Sequence, residues 1–393
     1  MRFSAVLFNA GVLKPPPMGT RTGSTLEQDP PIHRLFAEAL RQLQDRTAEQ
    51  RYRNVHRYEL GGISFCVRCD HRDTTAAIHR PLHHLEAPGK HSTYTLDVIT
   101  PSQATDALRR HLPPAEVRRP DGGKRWYARK GTIHALYHAS FGTLYILDES
   151  TGRGALWLLG DDPLPYVVRT SPFLPVFHWV YGARGDQVLH AAVVGHSTGA
   201  LLIAGRSGSG KSTAALAAAD RGFNFLGDDM VLASASERLD LQTTGELSLR
   251  AFTMYSSAKL ERGDIARFPR LAPAATRDLP NPDGPKHGDP PRKTVLLFDQ
   301  CREIHVAKVR PLIGGIVPTR ILGGIPSGTR LSPAQAFLHL APNVLFQLPG
   351  DSKAAACRLR RIAGSLRFFA WDLGAPEQIA DNLLRFLKAH GPS

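Results

Sequence analysis

The chain has 393 residues, enough for two or three domains, and its 42% hydrophobic and 21% charged residues are typical of a globular protein rather than a disordered one. No run approaches the roughly 18 to 20 apolar residues of a membrane-spanning helix, and four scattered cysteines exclude a disulfide framework, so we expect a cytoplasmic protein. The net charge of +14 favours acidic partners such as nucleotides, whereas the dispersed basic residues, without an RRM-like or OB-like signature, argue against nucleic acid.

The N-terminal part of the chain is predicted to be a leader followed by a β-rich unit. Residues 1–32 are predicted to be a flexible leader and linker, because proline, glycine and polar residues dominate positions 14–32. Residues 33–170 are predicted to form an antiparallel, β-rich unit with one helix. The apolar spacing of residues 33–52 fits that helix, and short alternating segments follow it.

A Cys-x-x-C pair in this unit raises the question of a zinc site. Cys66 and Cys69 have a spacing that suits zinc, and several histidines follow: His71, His79, His83, His84 and His91. Two interpretations stay open, a metal site and an ordinary strand with a polar loop. The second is favoured, because residues i and i+3 of a strand point to opposite faces and no second cysteine pair exists.

Residues 171–393 show the alternating order of an α/β domain. The segments VLHAAVVG, ALLIAG, KSTAALAAADRG and FNFLGDD predict strand, strand, helix and strand. Residues 262–293 combine proline, glycine and charge, and predict a mobile loop over the site.

A complete phosphate-loop motif lies between a predicted strand and a predicted helix. The pattern G-x-x-x-x-G-K-[ST] is formed by Gly205, Arg206, Ser207, Gly208, Ser209, Gly210, Lys211, Ser212 and Thr213. In such a loop, backbone N–H groups and the helix N-terminus bind phosphate oxygens. Lys211 is expected to reach the β- and γ-phosphates of ATP, and the Ser212 hydroxyl to bind Mg²⁺.

Two adjacent carboxylates follow the next predicted strand. Asp228 and Asp229 end the segment FNFLGDD. If this strand lies beside the phosphate-loop strand of a doubly wound sheet, both carboxylates face the phosphates. One could then hold Mg²⁺ while the other accepts a proton from an attacking hydroxyl. The alternative is a solvated turn at a strand end.

The spacing of these residues resembles the C-terminal catalytic domain of HPr kinase/phosphorylase. That family carries a histidine fifteen residues before the first loop glycine and two aspartates 23 and 24 residues after it, which correspond to His190, Asp228 and Asp229 here. The resemblance implies an α/β P-loop kinase core, similar to the HPr kinase C-terminal domain and to phosphoenolpyruvate carboxykinase. It also implies Asp228 as the base, Asp229 as a metal ligand and His190 near the transferring phosphate. On sequence alone, His190 could equally be a core histidine.

The chain is still more similar to the HPr-kinase-like serine kinases, whose Tyr-x-x-x-Lys phrase is matched by Tyr255 and Lys259 and whose strand-opening lysine is matched by Lys293. Phosphoryl transfer needs cations near the phosphate oxygens, so Arg250, Lys259 and Lys293 are candidate helpers, with solvated surface cations as the alternative. The family has an acidic residue where this chain has Thr213. Its E-x-R-G-x-G signature has a glycine directly after the arginine, but no glycine follows Arg250 here. Phosphorylase activity and HPr itself as the substrate are therefore not expected.

These observations predict an ATP- and Mg²⁺-dependent kinase that phosphorylates a serine of a small protein or precursor peptide. A small-molecule kinase and a non-catalytic ATP-binding regulatory protein are the alternatives. An ABC-type ATPase ranks below them, because no L-S-G-G-Q-like signature is present. The acceptor and the oligomeric state stay open; the hexamers of the HPr kinase family make a homo-oligomer one alternative.

Overall fold

The computed structural model describes residues 30–46, 52–87, 89, 91–112, 125–160, 164–206, 208–235, 249–276, 293–322, 325–345 and 350–390. Within these ranges the chain is a mixed α/β protein with sheets of seven, nine and two strands. No helix in these ranges has the length and apolar character needed to cross a membrane. The predicted leader lies outside the described residues except for its last three positions, which are not linker but the start of a helix.

The first sheet has the strand order β1-β2-β3-β7-β6-β5-β4. Its strands are β1 (Asn54–Leu60), β2 (Ile63–Cys69), β3 (Tyr94–Ile99), β4 (Arg125–Lys130), β5 (Ile133–His138), β6 (Thr143–Asp148) and β7 (Arg153–Leu158). The β2–β3 and β3–β7 pairs are parallel, so the expectation of an antiparallel unit is wrong at these two pairs. Parallel neighbours need a crossover connection, and helical segments lie in both connections.

The prediction of a single helix in this unit is also wrong. Its helices are α1 (Pro30–Asp45), α2 (Arg72–Leu82), α3 (Asp106–Arg109) and α4 (Tyr166–Thr170). The sequence of α2 contains two adjacent threonines and Pro81, which disfavour a helix in isolation. The helix forms because His71 caps its N-terminus, accepting a hydrogen bond from Thr74 N–H, and because Ile78 and Leu82 are buried on its inner side.

The two faces of the first sheet are covered by different helices. On one face, Leu35 and Leu43 of α1 pack in a core with Trp157. On the other face lies α5 (Leu174–Ala183), where the rings of Phe177 and Phe65 meet edge to face with centroids 5.0 Å apart. This second core continues into the larger sheet, so a single apolar cluster joins the two sheets.

The larger sheet has the order β11-β9-β10-β16-β13-β12-β8, and β18 pairs with β16 and β17. Its strands are β8 (Gln187–Leu189), β9 (Ala192–His196), β10 (Gly199–Ile203), β11 (Asn224–Gly227), β12 (Val231–Ala235), β13 (Leu249–Thr253), β16 (Val309–Pro318), β17 (Arg330–Leu331) and β18 (Phe368–Trp371). The two-stranded sheet pairs β14 (Ser257–Glu261) with β15 (Lys293–Leu297). The remaining helices are α6 (Lys211–Asp220), α7 (Pro333–Leu345), α8 (Ser352–Ser365) and α9 (Ile379–His390).

The edge of the larger sheet is set by three neighbouring strands. Because β9 is antiparallel to both β10 and β11, the latter two are parallel to each other and end at the edge where β9 begins. Ile203 pairs with Ala192 there, and Gly227 pairs with Val193. The sequence predicts that the strand before the aspartates lies directly beside the phosphate-loop strand. In the structure β9 lies between them, so β11 is the second strand from β10.

Residues 262–276 have regular structure and are anchored to the core by a few buried side chains, although the sequence predicts a mobile loop. They form two 3-10 segments, Arg262–Arg267 and Pro269–Ala274. Phe268 and Leu271 are buried in the core that contains the alanines of α6. Residues 277–292, the rest of the predicted loop, lie outside the described residues.

Candidate active site

The phosphate-loop motif connects β10 to α6, as a strand-loop-helix unit. Gly208 and Gly210 have φ values of +77° and +91°, a conformation that residues with a Cβ rarely adopt. A Cβ on Gly210 would also come within 2.9 Å of Arg320 Nη2. Ser207 lies outside the described residues, while Ser212 and Thr213 are half-buried in the first turn of α6.

Two cationic side chains hold the carbonyl groups of this loop. Lys211 is buried, and its Nζ donates hydrogen bonds to Gly205 O at 2.9 Å and Arg206 O at 3.2 Å. Arg320 donates to Ser209 O at 3.0 Å from Nε and to Gly208 O at 2.8 Å from Nη2. These four hydrogen bonds to the carbonyl oxygens stabilise the curved backbone conformation of the loop.

Arg320 belongs to none of the sequence motifs, so the motifs do not predict its place in the site. It follows β16, which is the parallel neighbour of β10, and parallel strands end at the same sheet edge. A prediction that β16 pairs with β10 would have pointed to the residues after Pro318 as part of the site.

Asp228 is a buried carboxyl beside the first turn of α6. Its Oδ2 accepts a hydrogen bond of 3.1 Å from Lys259 N–H, and its backbone carbonyl accepts one of 3.4 Å from the Ser212 hydroxyl. Burial, together with the negative charge of Asp229, raises the pKa of Asp228. The carboxyl is therefore a better proton acceptor than an ordinary surface aspartate.

Asp229 lies between two basic side chains. His190 Nε2 is 2.7 Å from its Oδ1, and Lys259 Nζ is 3.0 Å from its Oδ2. Burial alone would raise the pKa of Asp229, but the charge of Lys259 and the hydrogen bond from His190 outweigh that effect and lower it. Asp229 therefore stays ionised, while its neighbour binds a proton more readily.

His190 reaches this pair because of where β9 starts. It lies in the short connection between β8 and β9, at the edge where β10 and β11 end. The side chain is 15% exposed, so it is neither a surface residue nor a fully enclosed core histidine.

A small cavity opens beside the two aspartates. Its described lining residues are Ser171, Gly227, Asp228, Asp229, Met230, Tyr255, Ser257, Ala258 and Lys259. The Tyr255 hydroxyl donates to Pro172 O at 2.9 Å, and the Ser257 hydroxyl to Thr170 O at 2.7 Å. These bonds connect the strand that carries Lys259 to the segment before α5.

The structure places one of the three candidate helper cations, Lys259, at the aspartates. Lys259 contacts Asp229, as described above, and lies 5.2 Å from the centre of the Tyr166 ring. Arg250 lies on β13 and is not among the described residues that line the cavity. Lys293 opens β15, where its backbone pairs with Glu261, and its side chain lies outside the described atoms.

The cysteines of the C-x-x-C pair are not brought together with the histidines that follow them. Both lie on β2 with their thiols buried, and burial raises the pKa of both. Cys69 Sγ donates to His71 O at 3.6 Å, and His71 caps α2. Within the described residues, neither cysteine belongs to a group of three or more side chains that could hold a metal ion.

Among known proteins, this chain is similar to solved structures and not to sequence families. No protein-family model matches this chain, and no curated protein matches it. One solved structure, the HPr(Ser) kinase/phosphatase from Coxiella burnetii, is similar over 52% of this chain and 97% of its own, with 11% sequence identity and a TM-score of 0.29. A similarity this low carries no argument for the function, which has to come from the site.

Proposed function

We propose that the chain is an ATP- and Mg²⁺-dependent kinase that phosphorylates a serine hydroxyl of a small protein or precursor peptide. The observation that carries this proposal is the convergence, at one sheet edge, of a complete phosphate-loop motif and the buried Asp228, whose backbone carbonyl accepts a hydrogen bond from the Ser212 hydroxyl. Two further predictions accompany this proposal. One is the division of the chain into a β-rich unit, residues 33–170, and a P-loop catalytic domain, residues 171–393; the other is a cytoplasmic location.

The phosphate loop supports ATP as the nucleotide. The N-terminus of α6 and the loop amides offer hydrogen bonds to phosphate oxygens, with Lys211 beside them. The Ser209 hydroxyl is buried and has no hydrogen-bond partner among the described residues, which favours a ligand that would occupy the loop.

Asp228 fits the role of general base. In the proposed reaction, the acceptor hydroxyl transfers its proton to the Asp228 carboxylate while its oxygen forms a bond to the γ-phosphorus, and ADP leaves with the bridging oxygen. A raised pKa suits this step, since the group must take up a proton near neutral pH. His190 and Lys259 orient Asp229, and through it the turn that carries Asp228.

The oxygen ligands of the site suit Mg²⁺, which prefers hard oxygen donors. The Ser212 hydroxyl and the Asp229 carboxylate are the residues that would hold it. Each Asp229 oxygen already has one partner, but a carboxylate oxygen has two lone pairs and can take another. When bound, the ion would neutralise charge on the phosphate oxygens.

A transfer assay tests the proposal directly. The protein would be incubated with [γ-³²P]ATP, Mg²⁺ and a set of serine-containing peptides and small proteins, with alanine-substituted peptides as the matched control. We expect label on serine that depends on Mg²⁺. Tight ATP binding without any labelled product would favour a nucleotide-binding regulator, and label on a metabolite alone would favour a small-molecule kinase.

Arg320→Ala should weaken ATP binding by about tenfold. The substitution removes two hydrogen bonds to the loop carbonyls, and a tenfold loss corresponds to about 1.4 kcal/mol, close to the net contribution of one such bond. Calorimetric titration with MgATP measures the effect. Arg330→Ala, at an exposed position on β17, is the control. An unchanged affinity in Arg320→Ala would show that the loop holds its form without this side chain.

A further inference from the structure

Three metal-binding side chains converge outside the candidate active site. His56 lies on β1, His79 on α2, and Glu86 just after the 3-10 turn that follows α2. One ligand atom of each lies within 4.8 Å of the other two. Two imidazoles and one carboxylate are a donor set that proteins use for zinc and related transition metals.

The spacing of these atoms suits a shared ion. His56 Nδ1 lies 3.3 Å from Glu86 Oε1, and the rings of His56 and His79 are stacked with centroids 4.5 Å apart. Two ligands bound to one tetrahedral zinc at 2.0 to 2.1 Å lie about 3.4 Å apart. His56 Nδ1 and Glu86 Oε1 therefore already have the separation that a common ion would impose.

The surroundings also hold the ligands in place. The Tyr58 hydroxyl lies 3.1 Å from His79 Nδ1, and this hydrogen bond leaves Nε2 available for an ion. Metal-binding histidines nearly always have such a partner on their second nitrogen. Glu86 is fixed by its backbone, which forms a β-bridge with Tyr58, and the next residue, Ala87, donates N–H to Arg57 O at 3.1 Å.

We propose that His56, His79 and Glu86 bind one Zn²⁺ ion, with the fourth position open to water. The Glu86 side chain is 54% exposed, so the ion would be accessible from solvent. Its role is to fasten β1 to α2. The C-terminal end of α2 in turn contacts the segment between β13 and β14, since Ser256 donates its hydroxyl to Pro81 O at 3.2 Å. This proposal does not depend on the kinase proposal.

Metal analysis of the full chain tests the site. The protein is purified without a polyhistidine tag, stripped with EDTA, equilibrated with Zn²⁺ and dialysed. We expect the wild type to retain one zinc per chain. His79→Asn and Glu86→Gln should bind Zn²⁺ at least 10- to 100-fold more weakly, the loss that even an outer-shell change causes. The controls Glu59→Gln, at an exposed position of β1, and His33→Ala, at an exposed position of α1, should retain the ion.

Several outcomes would overturn the assignment. The wild type could retain no more zinc than the two ligand variants, or the two control variants could lose as much zinc as those do. Thermal melts in EDTA show whether each variant is folded, and they should match the wild type, because no ion is present in any of them. Should His79→Asn fail to fold, Glu86→Gln carries the test alone, because its half-exposed side chain can be exchanged without disturbing the core.

Discussion

Asp228→Asn is expected to reduce phosphoryl transfer by about 10²- to 10⁴-fold, the usual contribution of a positioned general base, while ATP binding is retained. The amide keeps the size of the side chain and can still accept a hydrogen bond from Lys259 N–H. It cannot accept the proton of the acceptor hydroxyl. The contact with Ser212 uses the backbone carbonyl of residue 228, so the substitution does not remove it.

Steady-state transfer rates and calorimetric ATP affinities measure this prediction, with Asp45→Asn, at an exposed position of α1, as the matched control. The pH profile gives a second measurement. Because burial and Asp229 raise the pKa of Asp228, the wild-type rate should fall as the pH is lowered through that raised value, and the residual rate of the variant should lack this limb.

An unchanged rate would exclude Asp228 as the base. Recovery of the variant by excess Mg²⁺ would instead identify Asp228 as a metal ligand.

Lys211→Met should weaken ATP binding by about 10- to 100-fold and reduce transfer at least as much. A hydrogen bond to a charged group contributes about 1.5 to 3 kcal/mol, and a phosphate-binding lysine makes more than one such bond. Methionine preserves the buried aliphatic stem, so the helix start should keep its packing. Only the ammonium group, which now donates to Gly205 O and Arg206 O, is lost.

The comparison for this variant is Lys353→Met, at an exposed position in the first turn of α8. Lys353→Met should keep the wild-type thermal midpoint, because it changes an exposed side chain. Lys211→Met should lower the midpoint by about a few degrees, because the buried ammonium group donates two hydrogen bonds to loop carbonyls. An ATP affinity in Lys211→Met equal to that of the control would mean that the loop does not bind the triphosphate.

Local patterns in the sequence were sufficient to locate most of the candidate site. The phosphate loop is a contiguous motif, and the positions of His190 and the aspartates follow from their distance to it along the chain. These residues do meet at one edge, because β9 starts where β10 and β11 end. Their chemical roles remain predictions until the variants are measured.

The features that the sequence did not reveal all depend on contacts between distant segments. Arg320 reaches the loop only because β16 pairs with β10, and the parallel β2–β3 pair depends on α2, whose own sequence is a weak helix former. The proposed zinc ligands also depend on contacts between distant segments. The C-x-x-C spacing drew attention to this region, but His56 and Glu86 are brought to His79 by the pairing of Tyr58 with Glu86.

The aromatic face of α5 has a practical consequence. Phe173, Phe177 and Tyr181 are almost completely buried, and their shared core includes Phe65 from the first sheet and Leu232 from the larger one. A fragment cut at residue 171 would place these rings in water at a cost of about 1.5 to 3 kcal/mol for each large side chain. The phosphate-loop half is therefore unsuited to isolated expression, and biochemical work on it requires the N-terminal half as its partner.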